Sequence, residues 1–131
     1  MSLAHIVLLL VAILMLLEAL WGLWVPAHVR ETVSSVINEW SLGPGSARSI
    51  FWTAALLFWA VAWLGNAWTH RALFFIGVFF VVAGEIFANS QYREKCFQCF
   101  LGSRTNLQVR FIYCGEAALA VVFFSIALGG Y

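Results

Sequence analysis

Residues 3–24 read LAHIVLLLVAILMLLEALWGLW, an apolar run broken only by His5 and Glu18. A helix needs about 20 mostly apolar residues to cross the hydrocarbon core of a bilayer. This stretch has that length, and so do residues of about 47–68, 72–89 and 109–128. The second carries Arg48 at its start, the third Glu85 within it, and the fourth Arg110 at its mouth and Glu116 inside. No ten-residue segments alternate in the manner of barrel strands. The expected fold class is all-α: an integral membrane four-helix transmembrane bundle, one domain over residues 1–131.

Composition points the same way. Hydrophobic residues make up 63% of the chain and charged residues 10%, and the mean hydropathy is +0.92. Soluble domains are about 45–50% apolar and about 25% charged. The excess excludes a water-soluble fold and a disordered tail. A net charge of +1 supplies no field for a polyanion, so no nucleic acid is expected as partner. The partner expected from composition is the lipid bilayer, with room for a membrane-protein partner or self-association. The first run lacks a basic n-region and a small-residue cleavage site, so it reads as a retained helix.

The connections set a topology. With four spans, residues 25–47 and 90–108 share one side, which holds Arg30, Arg48, Arg93, Lys95, Arg104 and Arg110. The other side holds only Arg71. Basic residues mark the cytoplasmic side, so both connections are expected in the cytoplasm and both termini outside. Residues 26–40 place Val29, Val33, Val36, Ile37 and Trp40 on one helical face. Pro26 suits a first helical turn. The segment reads as an interfacial amphipathic helix between spans one and two. A tight turn around Gly65-Asn66 and Thr69-His70 is expected to join spans two and three on the outer side.

Glutamates carry the chemistry. Three of six acidic residues, Glu18, Glu85 and Glu116, fall inside spans, and Asp is absent. An ionisable group in a membrane helix costs roughly 2.5–3.5 kcal/mol on insertion scales and marks a functional hypothesis by default. At 1.5 Å per residue all three lie at similar depth, about 8–12 Å from the cytoplasmic ends of their spans. Thr53, Asn89 and Cys114 belong near the same layer. Gly84 and Gly115 precede two of the glutamates, and Gly115, Ala118, Val122, Ser125 and Gly129 form a mostly small stripe on the last span. Such stripes let helix backbones approach closely, which would turn the carboxylates toward protein. Carboxylates brought together in this way do not all ionise. Glu18, Glu85 and Glu116, with Asn89 and Thr53, form the candidate proton- or cation-binding set. The competing reading makes each glutamate a neutral hydrogen-bonding link between helices.

Cys96-Phe-Gln-Cys99 has the spacing at which two thiolates reach one tetrahedral metal ion. Cys114 and His28 are the remaining candidate ligands on that side. The plainer reading puts Tyr92, Cys96, Cys99 and Phe100 on the apolar face of a second interfacial helix. His5 and His70 fall at the opposite end and read as interfacial caps. The stripe Trp52, Trp59, Trp63 reads as a packing face. No hydrolytic triad, phosphate loop or zinc-protease motif is present, and no cofactor is expected.

Three function classes follow. The first is a non-enzymatic accessory subunit of a membrane complex, or a small homo-oligomer. The second is a small proton- or cation-coupled transporter or channel using the glutamates. The third is an intramembrane enzyme or thiol-redox protein using Cys96 and Cys99.

Overall fold

The computed structural model describes residues 2–129. Among them the elements are α1 (Leu3–Trp24), α2 (Pro26–Asn38), α3 (Pro44–Ala62), α4 (Ala67–Ala88), α5 (Ser90–Phe97), a π-helical turn (Gln98–Gly102) and α6 (Asn106–Gly129), with no strand. The protein is an all-α bundle in which α1, α3, α4 and α6 are long and apolar enough to cross a membrane. Met1, Gly130 and Tyr131, the ends expected outside the cell, lie beyond the described residues.

Local chemistry sets the element ends. Ser2 accepts a hydrogen bond from the His5 amide at 3.4 Å and starts α1. Pro26 and Pro44 open α2 and α3, where a missing N–H costs nothing. Pro26 also forces Val25 out of helical geometry, so a single residue divides α1 from α2. The Asn89 side chain accepts from the amides of Gln91 at 2.9 Å and Tyr92 at 3.3 Å, which starts α5 directly after α4. The break between α3 and α4 falls at residues 63–66, earlier than the hydropathy division at 68–72. Trp63, Leu64, Ala67 and Trp68 keep the turn apolar, so hydropathy does not mark it. The interfacial helix α2 ends at Asn38, two residues short of the expected end, and Trp40 packs on Phe87 with ring centroids 4.8 Å apart.

The four long helices pack as two pairs, α1 with α6 and α3 with α4. Each pair sets aromatic rings over glycines. Tyr113 of α6 lies over Gly22 of α1. On α3, Trp59 lies over Gly77 and Phe51 over Gly84. The Trp59 indole donates to the Phe74 carbonyl at 3.0 Å and stacks on the Phe74 ring. Alanines complete the seams, with Ala4, Ala12 and Ala19 of α1 and Ala120 and Ala127 of α6 almost fully buried. Small side chains of this kind allow the close backbone approach that holds helices together in lipid.

Among the described residues, the buried core that the two pairs share lies toward one end. Ala4, Leu8 and Ala12 pack there with Ala62, Ala72, Leu73, Ile76, Phe123 and Ala127, so all four long helices contribute. A second core at the opposite end joins Ala19, Val29, Leu101, Val109 and Tyr113, and contains no residue of α3 or α4. Arginines close that end by donating to helix-terminal carbonyls, which otherwise lack partners. Arg30 reaches the Leu101 and Arg104 carbonyls at 3.0 and 2.6 Å and the Asn106 side chain at 3.1 Å. Arg110 donates to the Leu23 carbonyl at 3.2 Å and Arg93 to that of Phe87 at 2.5 Å.

The small stripe of the last span does not form a seam within the chain. Gly115, Ala118, Val122, Ser125 and Gly129 are all exposed, and a Cβ at Gly115 would meet no atom within 4 Å. The buried face of α6 runs instead through Val109, Tyr113, Ala120, Phe123 and Ala127. Tyr113 and Phe123 fill the space that the small residues of α1 leave.

Candidate functional site

Where the helix pairs part, they enclose a cleft of about 670 Å³. Val11, Leu14, Met15 and Glu18 line it from α1, at the spacing of one helical face. Gly115, Glu116, Leu119 and Phe123 line it from α6, and Phe58, Phe75, Ile76, Phe79 and Phe80 from α3 and α4. The walls are apolar and rich in phenyl rings, and Glu18 and Glu116 supply the two carboxyl groups. The second-core packing holds α1 against α6, and Glu18 and Glu116 line the same cleft from these two helices, near enough for each charge to act on the other. Glu116 is half-buried and Glu18 more open. The Tyr113 ring is seated over Gly22, between α6 and α1.

Glu85 does not join them. It sits on α4 and accepts from the Arg48 guanidinium of α3 at 3.1 Å, in an ion pair that is half-exposed on both sides. Similar depth along the spans therefore does not gather three glutamates, because Glu85 faces α3 and the other two face the gap between pairs. Thr53 and Asn89 are outside the cleft as well. The Thr53 hydroxyl donates to the Ser49 carbonyl of its own helix at 2.7 Å, and Asn89 serves as the cap of α5.

The cysteines stay apart from this site. Cys96, Cys99 and Cys114 are free thiols, Cys114 and Cys99 being exposed. Among the described residues no three His, Cys, Asp or Glu side chains gather as metal ligands. The His28 ring packs edge-on against Trp21 at 5.8 Å. Burial, and then the neighbouring Cys99, push the Cys96 thiol above its usual value. That lowers its thiolate fraction and its reactivity. Replacing both Cys96 and Cys99 by Ser is therefore expected to leave the melting temperature and native mass unchanged. Stoichiometric zinc or iron in the wild-type protein, lost in the double variant, would contradict this.

At the other end, His70 donates through Nδ1 to the Ala62 carbonyl at 2.8 Å and so closes α3. His5 is buried with its Nδ1 against the Ser2 hydroxyl at 2.5 Å. Sequence reading did not single out Met15, Tyr113 or the phenylalanines 58, 75, 79 and 80 as site residues. The face formed by residues 11, 14, 15 and 18 is legible as a helical stripe, but its partner on α4 is set by tertiary packing.

Comparison with protein-family models, with curated proteins and with solved structures finds no match to this chain.

Proposed function

We propose that the protein is a small proton- or cation-coupled membrane transporter whose working site is the Glu18–Glu116 pair. The observation that supports this most is the meeting of two carboxyls from different helices in one apolar cleft. Two carboxylates sharing one apolar cleft repel each other, and a shared proton or a bound cation removes the conflict. The weak junction between the helix pairs, closed at one end and parted at the other, supplies an element able to shift when the occupant changes.

Thermal stability in mild detergent tests the reading. A ligand bound at a hundredfold excess over its Kd stabilises the native state by about 2.7 kcal/mol, a shift of several degrees. The wild-type midpoint is expected to respond to pH and to added mono- or divalent cations. Glu18→Gln and Glu116→Gln are expected to fold and lose that response, and Glu85→Gln to keep it. Wild-type curves indifferent to both would overturn the proposal.

The proposed topology follows the basic residues: the ends carrying α2 and α5 face the cytoplasm and the termini face outward. A reporter inserted at Gly43 is expected to read inside, and one fused at the C-terminus outside; the reverse pattern contradicts this orientation.

The exposed stripe Gly115, Ala118, Val122 and Ser125 favours a second reading, an accessory subunit or homo-oligomer that covers this face. Under it, native mass spectrometry in mild detergent gives a heavier species that Ala118→Leu abolishes.

A further inference from the structure

We propose that the cleft takes a lipophilic organic cation, with the Glu18–Glu116 pair as its counter-charge. This inference rests on the reading of that pair as a cation site and names the class of cation. Coordination chemistry argues against a bare metal ion. Calcium takes six to eight oxygen ligands and zinc about four ligands, whereas the pair finds no third His, Cys, Asp or Glu beside it among the described residues.

Size and wall chemistry favour an organic ligand. Small-molecule sites occupy about 300–1,000 Å³, and the cleft holds about 670 Å³. Phe75 and Phe79 line it with the kind of ring that attracts organic cations, Phe58 and Phe80, stacked on each other with centroids 5.2 Å apart, extend the aromatic wall, and Met15 adds a polarisable thioether. The space beside the carboxyl pair is unfilled, since a Cβ at Gly115 meets nothing within 4 Å. Leu14, Phe75 and Phe79 line the cleft and are also exposed at 66%, 55% and 62%, so it opens sideways between the helix pairs. A cation that partitions into the bilayer reaches the carboxyls by that route without crossing a polar entrance.

The test is equilibrium dialysis of the purified full-length protein in mild detergent with tetraphenylphosphonium, and with neutral triphenylphosphine oxide as an uncharged analogue. Circular dichroism melting confirms the fold of each variant. Saturable tetraphenylphosphonium binding is expected, at least tenfold tighter than binding of the neutral compound. Glu18→Gln and Glu116→Gln are expected to weaken it at least tenfold, and so is Gly115→Leu, which fills the cleft and keeps both carboxyls. Phe79→Ala, which opens a wall without crowding, is expected to weaken it severalfold, and Glu85→Gln to bind as wild type. Absent saturable binding, equal binding of the neutral analogue, or wild-type affinity in both Gln variants overturns the inference. If sodium, calcium or protons still shift the melting temperature while tetraphenylphosphonium does not bind, the organic-cation inference falls and the broader cation reading stands. If nothing shifts it, both fall.

Discussion

Gly77→Leu is expected to lower stability by about 3 kcal/mol and to cut the yield of folded protein sharply. A Cβ at this position would lie inside contact distance of the Trp59 indole. Three contacts hold that ring in place. Its Nε1 donates to the Phe74 carbonyl at 3.0 Å, its face stacks on Phe74 at 5.3 Å, and Trp52 meets its edge at 6.2 Å. Overpacking a tight site costs about 1–3 kcal/mol and occasionally more, and a lost hydrogen bond adds about 1 kcal/mol. Thermal melting in detergent measures the effect. Gly115→Leu provides the contrast, because its Cβ meets open space and leucine favours helix over glycine; it is expected to melt at or slightly above wild type. Trp59→Ala combined with Gly77→Leu is expected to recover part of the loss, since the clash needs both side chains. A Gly77→Leu midpoint equal to wild type would show that α3 and α4 do not pack as described.

Arg30→Ala is expected to cost about 2–3 kcal/mol and to loosen α2 together with the π-helical turn. The guanidinium donates to two carbonyls and one side-chain amide oxygen, at 2.6 to 3.1 Å, in a segment more than seventy residues away in sequence. Hydrogen bonds to charged groups contribute about 1.5–3 kcal/mol each, and partial exposure brings the sum down toward the lower end. Lysine is a poor substitute, because its ammonium lacks the planar fork that spans several acceptors. Hydrogen–deuterium exchange is expected to show faster exchange at residues 26–38 and 98–106 in Arg30→Ala, with α3 and α4 unchanged. Uniform protection across the chain would show that the clamp carries no stability.

The architecture was legible because its signals are local. Spans of about 20 apolar residues, Pro26 at a helix start, and the apolar face of α2 all act within one element. The site was only half legible. Depth along a span follows from counting residues, which is why Glu18, Glu85 and Glu116 are expected in one layer. Which of them meet depends on azimuth and on helix pairing, and neither is local. Glu85 turns toward Arg48, a pairing invisible while Arg48 is read only as a span-end charge. The stripe of α6 misled for a related reason: small residues mark a face able to pack, without saying whether the partner lies in the same chain. The glycines that do make close contacts, Gly22, Gly77 and Gly84, are identified by the ring opposite each one. Met15 and the four phenylalanines escaped notice because an apolar residue lining a cleft and one facing lipid look alike in sequence.

Infrared spectroscopy of the protein in lipid, with isotope-labelled glutamate carboxyls followed across pH, tests the central claim most directly. Interacting carboxyls titrate as a pair, and removal of one changes the curve of the other. Glu18→Gln is expected to alter the titration of the Glu116 carboxyl, and Glu116→Gln that of Glu18, while Glu85→Gln leaves both unchanged. Curves for Glu18 and Glu116 that ignore each other's removal would contradict a shared site.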